Sequence, residues 1–371
     1  MKKQCCKDNP RLGKVGGQAV IEGVMMKAGD RTVTTCRKED GSLVVTDGEF
    51  HSVRKKCKVL NIPILRGVIN FVEMMILSFK TLSISADALD LDEGSKKKKE
   101  DKKDGAVSTF TTVIMVAASV LGVALSLFLF MFLPTFLADL VDKWITLGVW
   151  RAVLEGILKI VIFISYLCLV TLMKDIRRTF MYHGAEHKSI ACFEAGDELT
   201  PENAAKHRRF HPRCGTSFMF LMILLGVVAG LFIRVINPSL GRVAYISIRL
   251  GILPVIMGLG YEFILFAGKH DNIVTRIVSA PGLWVQRITT KEPTEDMLEV
   301  AIISIKCALR DDFPEFGEFY KARPWEKKDE PEDGADNDGN EAEAAKLSPA
   351  EEADSRTAPE EKPEDGANPS V

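Results

Sequence analysis

The stretch Phe110–Leu137, FTTVIMVAASVLGVALSLFLFMFLPTFL, decides the fold class of this 371-residue chain. It carries no charged residue over its whole length, and soluble core helices seldom run so long without one. Inside a bilayer the backbone polar groups of such a segment must be satisfied internally, which favours a helix. The stretch therefore predicts a membrane-spanning helix.

Three further segments are long and apolar: Gly156–Met173, Thr216–Ile236 and Val243–Ala267. The first of these is short for a span, and the last contains Arg249 and Glu262, so these two segments could instead be buried core helices. We expect a mainly α-helical, polytopic membrane protein with about four transmembrane helices within residues 109–268.

The N-terminal part, residues 1–60, predicts a small β-rich cytosolic unit. Ala19–Ile21 and Val24–Met26 are short apolar runs separated by a glycine. Thr32–Arg37 and Leu43–Thr46 flank a short turn with Asp-Gly at its centre, which is a good hairpin signal.

The remaining residues form four flanking segments. Residues 61–89 have apolar side chains at helical spacing interrupted by charges, which predicts an amphipathic helix in the membrane interface or against the bundle. Residues 90–108 are a charged linker, and residues 269–325 predict a cytosolic segment that skirts the membrane and ends in an amphipathic helix. Residues 326–371 have almost no large apolar side chains, which predicts a disordered acidic tail.

The distribution of charge predicts the orientation. The formal net charge is −2, but residues 326–371 hold sixteen acidic and five basic side chains, so the tail carries −11 and the rest of the chain +9. The run Lys96–Lys99 before the first span, and eight Lys and Arg in the loop 174–215, mark the cytosolic side under the positive-inside rule. An even number of spans then leaves both termini in the cytosol, and we expect a multi-pass protein of the cell membrane.

Two other features exclude alternatives. Eight cysteines are scattered without paired spacing, which is typical of a reducing compartment rather than of a disulfide framework. The lysine run is explained by topology, so nucleic-acid binding has no support of its own. The bilayer itself is the partner that the composition predicts.

The loop 174–215 contains the residues that point to chemistry. Four of the six histidines fall within thirty-two residues. If the segment through His183 and His187 is helical, their spacing of four stacks both rings on one face, where they can reach a single ion. His183, Glu186 and His187 form the His-x-x-Glu-His order of inverted zincins, in which two histidines bind zinc and the glutamate is the general base.

A second group of ligands follows about twenty residues later, namely His207, His211 and Cys214. Two pairs of histidines spaced by four, together with a cysteine, predict a divalent metal site, with zinc as the metal that suits these ligands. The alternative is that the histidines are hydrogen-bonding residues at a membrane surface. If a metal binds, Cys192, His207, His211 and Cys214 could instead close a structural site, whereas His183, His187 and Glu186 favour a catalytic site with one open position.

Three downstream residues are accessory candidates for this site: Glu262, His270 and Asp271. Glu262 lies seventy-five residues after His187, near the spacing at which inverted zincins take a third ligand. The intervening span makes that spacing a coincidence, but a carboxylate within a span is costly and is therefore a functional candidate.

Several motifs together resemble one known family. The stretches Gly16–Met26, Tyr182–Lys188 and His211–Thr216, with the Asp271-Asn272 region, are similar to the YqhQ-like bacterial membrane proteins, a family of unknown function described as predicted metal-dependent enzymes. The resemblance covers about residues 15–310 and implies a multispan membrane protein with a His-rich motif, without naming a reaction. It also singles out Glu22, which we expect to approach the cluster from the β-rich unit.

The combined expectation is a metal-dependent, membrane-embedded hydrolase at the cytosolic face. The metal held by His183 and His187 would lower the pKa of a water that Glu186 deprotonates. The substrate would be lipid-derived or a membrane-protein segment. The competing class is a non-catalytic scaffold or transport-related protein with a structural metal, and the sequence does not determine an oligomeric state.

Overall fold

The computed structural model describes residues 9–55, 58–89, 117, 120–148, 150–211, 213–269, 272–314 and 316. This part of the chain is mainly helical and contains one small antiparallel sheet near the N-terminus. The expected charged linker 90–108 and acidic tail 326–371 lie outside the described residues.

The sheet is a four-stranded antiparallel meander. Its strands, in spatial and chain order, are β1 Val15–Val20, β2 Gly23–Ala28, β3 Arg31–Arg37 and β4 Leu43–Glu49. Arg37 pairs with Leu43 across the turn that the Asp-Gly signal predicts, so the expected hairpin is confirmed. The first predicted apolar run, Ala19–Ile21, extends past the end of β1 at Val20. Val20 pairs with Gly23, and Glu22 occupies the tight β1–β2 turn with a φ of 48°.

Nine helices are described. They are α1 Leu65–Ala88, α2 Val120–Asp142, α3 Trp150–Val170, α4 Lys174–Ala195, α5 Pro201–Lys206, α6 Gly215–Ile236, α7 Arg242–Lys269, α8 Ile273–Thr289 and α9 Glu295–Ala308. Two 3-10 turns, Val53–Lys55 and Lys58–Asn61, precede α1, and α2 contains a π-helical turn at Phe128–Phe132.

Five of these helices, α1, α2, α3, α6 and α7, are long and apolar enough to cross a membrane, so the chain is compatible with a multi-pass membrane protein. They pack in sequence, α2 on α3, α3 on α6, α6 on α7 and α7 on α1. The sequence predicted four such spans and treated α1 as amphipathic. In the structure α1 buries Leu77, Thr81 and Ser85 on one face and exposes Val72 and Phe79 on another.

A compact unit outside the apolar bundle combines the sheet, α4 and α9. Helix α9 packs on β2 and β3 and also on α4, so Val300, Ala301 and Ile305 are fully buried. The sequence predicted an amphipathic helix here, and the prediction of helix is right. The helix is not amphipathic in its surroundings, however, because the sheet covers one side of it and α4 covers another.

The loop predicted between the second and third spans is largely helical. Residues of the predicted loop 174–215 form the 22-residue α4 and the short α5. Helix α4 ends at Gly196, whose φ of 86° is the left-handed conformation typical of a helix C-terminus. Its residues from Tyr182 to Phe193 are largely buried, so these side chains are held in defined positions.

The segment expected to skirt the membrane is helix α8. A capping box between Asn272 and Thr275 begins it. It packs on α6, where a Cβ at Gly282 would lie only 2.9 Å from the Cβ of Ser217. This close approach brings the end of α8 beside the start of α6 and beside α4.

Candidate metal centre

His183 and His187 lie on one face of α4, as the spacing of four predicts, with ring centroids 4.5 Å apart. Each ring uses its Nδ1 in a hydrogen bond to a backbone carbonyl, His183 to Thr289 O at 2.9 Å and His187 to Arg209 O. Nε2 is then the nitrogen of each ring that can act as a metal ligand. Backbone partners of this kind orient histidines that bind metals.

The position of Thr289 depends on a close helix-to-backbone contact. A Cβ at Gly184 would lie 2.0 Å from the carbonyl oxygen of Lys291, so only glycine lets this segment run against α4. The backbone N–H of Lys291 donates to Phe180 O at 2.8 Å. Lys188 and Arg209 both pair with Glu292, which joins the same segment to the loop after α5.

Cys214 completes the cluster from a third element. It is the residue immediately before α6, and its Sγ lies 3.3 Å from His183 Nε2 and 3.2 Å from Thr216 Oγ1. One ligand atom from each of His183, His187 and Cys214 lies within 4.8 Å of the other two. Over the described ranges, this is the group of His, Cys, Asp and Glu side chains that could hold a metal ion.

The electrostatics of the cluster favour a thiolate beside a positive charge. Burial opposes ionisation of Cys214, but His183 and His187 outweigh it and hold the pKa of the thiol well below its usual range. Burial likewise opposes protonation of His183, yet Cys214 and Glu186 raise the pKa of that imidazole to about 9. The start of helix α6 also favours negative charge at Cys214. A cation is therefore electrostatically favoured at this position.

Glu186 lies in the same region and is 5% exposed. Its Oε2 is buried and has no hydrogen-bond partner among the described atoms. Burial raises the pKa of this carboxyl above its usual value, although His183 and His187 oppose the shift. Strand β1 covers it closely, since a Cβ at Gly17 would come 3.1 Å from Glu186 Cγ. An unpartnered buried carboxyl is costly unless a proton, a water or an ion satisfies it.

The structure does not bring His207 and His211 into the cluster. His207 Nε2 lies 2.8 Å from Asp197 Oδ2 on the surface. The ring of His211 is 5.9 Å from that of His187, but its Nε2 is turned to Glu194 at 3.4 Å. The two histidines diverge because no helix spans them: α5 ends before His207, and an irregular segment follows.

The closed structural set is not assembled either. Cys192 is buried in the core between α4 and α9, with its Sγ 3.4 Å from Glu198 O. Of the four ligands proposed for that set, Cys214 alone belongs to the cluster.

The accessory candidates are also engaged elsewhere. Both carboxylate oxygens of Glu22 accept from Arg178, and Tyr182 donates to one of them at 3.3 Å. Glu262 forms a two-point ion pair with Arg66 of α1, which explains a carboxylate within an apolar helix. His270 and Asp271 lie outside the described residues.

Sequence reasoning missed Gln286, which positions Cys214. This fully buried side chain accepts from the His211 backbone N–H at 2.9 Å and donates to His211 O at 2.7 Å and Ser217 Oγ at 2.8 Å. It thus holds both sides of the turn that carries Cys214. Gln286 gave no distinctive signal, because α8 also contains polar side chains such as Arg276 and Arg287, and the carbonyls of Thr289 and Arg209 leave no signature in a sequence.

Comparisons with known proteins identify relatives but no reaction. A family model described as "Protein of unknown function (DUF1385)" matches residues 62–311. The chain is 34% identical to "Uncharacterized protein YqhQ" of Bacillus subtilis (strain 168) over 302 residues, which cover 80% of this chain and 92% of that protein. No solved structure matches. The resemblance seen in the sequence motifs is thereby confirmed.

Proposed function

This chain belongs to the DUF1385 family of proteins of unknown function, and we propose that it is a metal-dependent, membrane-embedded hydrolase. One observation carries the proposal: His183, His187 and Cys214 converge beside a buried, unpartnered Glu186. Three protein ligands leave one of the four positions of a zinc site open, which is typical of catalytic rather than structural centres.

The donor set fits zinc, which takes imidazole and thiolate ligands together. When bound, such an ion would lower the pKa of a water toward neutrality. The chain itself supplies the rest. Nε2 of the two histidines and Sγ of Cys214 would hold the ion, and the Thr289 and Arg209 carbonyls keep both rings oriented. Glu186 is the group placed to take up a proton and return it, because its pKa is raised by burial.

We propose a multi-pass membrane location with four crossings, formed by α2, α3, α6 and α7. The contacts of α1 support this number. Its side chains Ser78, Thr81 and Ser85 bond to β1 or to the turn after it, so the C-terminal half of α1 lies against the sheet. The sheet, α4 and α9 share one core and so lie on one side of the membrane.

The pairs α2–α3 and α6–α7 each cross and return. A complete crossing by α1 would therefore place the sheet and α4 on opposite sides of the membrane, and their shared core argues against that arrangement. Helix α1 then lies in the interface, with its exposed apolar residues toward lipid. The lysine run before the first span favours the cytosol for the metal centre and for both termini of the bacterial inner-membrane protein. A substrate drawn from the membrane, lipid-derived or a membrane-protein segment, suits this position.

Metal content by mass spectrometry on detergent-purified protein tests the proposal. We expect about one zinc or similar ion per chain, lost in a His183→Ala/His187→Ala double variant and retained in His207→Ala, which serves as the matched control. Absence of metal from the wild type, or equal content in both variants, contradicts the metal centre.

A second candidate is a non-catalytic scaffold in which the metal is structural. It is favoured by the way the cluster joins three elements, because α4 supplies the histidines, α6 the cysteine and α8 the Thr289 carbonyl. Glu186→Gln distinguishes the two candidates in cells that lack the wild-type protein. A hydrolase loses its function while metal stays bound, whereas a scaffold keeps both.

A further inference from the structure

Charged side chains also gather at the end of the bundle remote from the metal centre. Glu155 and Lys159 lie on α3, and Arg249 lies on α7. Helix α6 shows the separation, since it begins next to Cys214 and carries Arg234 in its last turn, about 30 Å away at 1.5 Å per residue. This second group takes no part in the proposed hydrolysis.

The group is assembled by close helix packing. Arg249 Nη1 donates to Glu155 Oε1 at 2.5 Å, and Lys159 Nζ donates to the same oxygen at 2.7 Å. Arg249 reaches α3 by passing over small residues of α6: its Nη2 lies 3.4 Å from Gly226 O, and a Cβ at Gly230 would come 3.5 Å from its Cζ. Arg249 therefore contacts α6 as well as α3.

The group has more positive than negative charge. One carboxylate, Glu155, faces two cations, and Asp139 pairs with Arg151. Arg234 lies over the ring of Tyr245 at 4.3 Å and donates to Leu240 O. Together these six charged side chains carry a net charge of +2. Just beyond them, Asp142 and Lys143 cancel each other.

Excess cations among apolar helices are costly unless an anion accompanies them. Lys159 and Arg249 keep 14% and 18% of their side-chain surface exposed, so a ligand can reach both.

An apolar groove lies next to this group. It has a volume of about 360 Å³ and runs along α2 from Leu127 to Asp139, with Ile246 of α7 on the opposite wall. The π-helical turn of α2 falls within it. The groove and the charged group share a boundary, because Asp139 pairs with Arg151 and Ile246 is one residue from Tyr245 and three from Arg249.

We propose that the groove and the charged group form one binding site for an anionic phospholipid of the bilayer. An acyl chain lies against Phe128, Met131 and Ile246, and the phosphate lies at Lys159 and Arg249. An apolar groove beside a group of net positive charge matches the two parts of such a lipid. The site depends on the proposed membrane insertion but not on the proposed hydrolysis.

Native mass spectrometry of delipidated protein in mild detergent tests this site. The probes are phosphatidylglycerol, phosphatidylcholine with the same acyl chains, and glycerol 3-phosphate, which has the phosphate without the chains. We expect phosphatidylglycerol to bind roughly tenfold or more tightly than phosphatidylcholine, and glycerol 3-phosphate not to bind measurably. Equal binding of the two lipids, or equal binding of glycerol 3-phosphate and phosphatidylglycerol, overturns the proposal.

Variants locate the binding. Lys159→Gln and Arg249→Gln should each lower the affinity for phosphatidylglycerol by roughly tenfold. Ile246→Trp should block the groove for both lipids without changing any charge. Lys206→Gln, which removes an exposed cation far from the bundle, is the matched control and should bind as wild type.

Unchanged binding in Lys159→Gln and Ile246→Trp overturns the assignment, even if Arg249→Gln does not fold. Co-sedimentation of the wild type with membranes before extraction separates failure of this site from failure of membrane insertion.

Discussion

Glu186 and Glu155 are both nearly fully buried, at 5% and 3% exposure, but their surroundings are opposite. Glu155 shares one oxygen with Lys159 and Arg249. Glu186 has an oxygen with no partner and lies beside two histidines and a cysteine. Burial alone therefore does not distinguish a structural carboxylate from a reactive one. The hydrogen-bond and ion-pair partners of the carboxylate make the distinction. A carboxylate paired with cations links neighbouring helices, whereas an unpaired carboxyl is available to a ligand or a proton.

The largest expected effect comes from removing the paired carboxylate. Glu155→Gln leaves Lys159 and Arg249 without a counter-charge, and we expect a loss of about 3–5 kcal/mol in the free energy of unfolding. Thermal unfolding in detergent measures the loss. Asp312→Asn is the control, since its ion pair with Lys14 is exposed to solvent and should contribute much less. An equal melting temperature for wild type and Glu155→Gln would show that the ion pairs of Glu155 do not stabilise the folded protein.

Gln286→Leu tests the neutral hydrogen bonds that support the candidate metal centre. The variant leaves His211 N–H, His211 O and Ser217 Oγ without their partner, which should cost about 2–3 kcal/mol. We also expect metal affinity to fall about 10- to 100-fold, because the turn that carries Cys214 loosens. Competition with a zinc chelator measures this, and an unchanged affinity with lowered stability would show that Gln286 only supports packing.

Glu186→Gln should chiefly alter the pH dependence of stability. Burial raises the pKa of Glu186 in the folded state, so the folded protein binds more protons than the unfolded chain above the ordinary value of 4.5. Stability of metal-free protein should therefore fall as pH rises from about 4.5, and the fall should be smaller in the variant. Chelator-treated samples melted across this range check the sign, and identical slopes would contradict an unpaired carboxyl.

The smallest effect is expected for Glu22→Gln. Its partner Arg178 is about half exposed, so the pair should contribute under about 1 kcal/mol. Because Glu22 does not belong to the cluster, metal content and the function proposed to depend on Glu186 should both stay normal. A loss of metal in this variant would show that Glu22 contributes to metal binding and does not only accept a hydrogen bond from Tyr182.

Local patterns in the sequence predicted the elements well. The charge-free apolar runs predicted long helices, the Asp-Gly turn predicted the β3–β4 hairpin, and the spacing of His183 and His187 predicted a shared helix face. These predictions rest on the periods of helix and strand, which act over a few residues.

The sequence by itself thus determined the apolar helices, the antiparallel sheet and the position of the histidine pair. Only the tertiary structure decided that Cys214, and not His207 or His211, joins that pair, and that Glu262 is neutralised by Arg66. The same holds for Gln286 and for the complete burial of α9. The physical reason is that these contacts join residues tens to hundreds of positions apart. Which side chains meet there depends on how separate elements pack, and no local period records that packing.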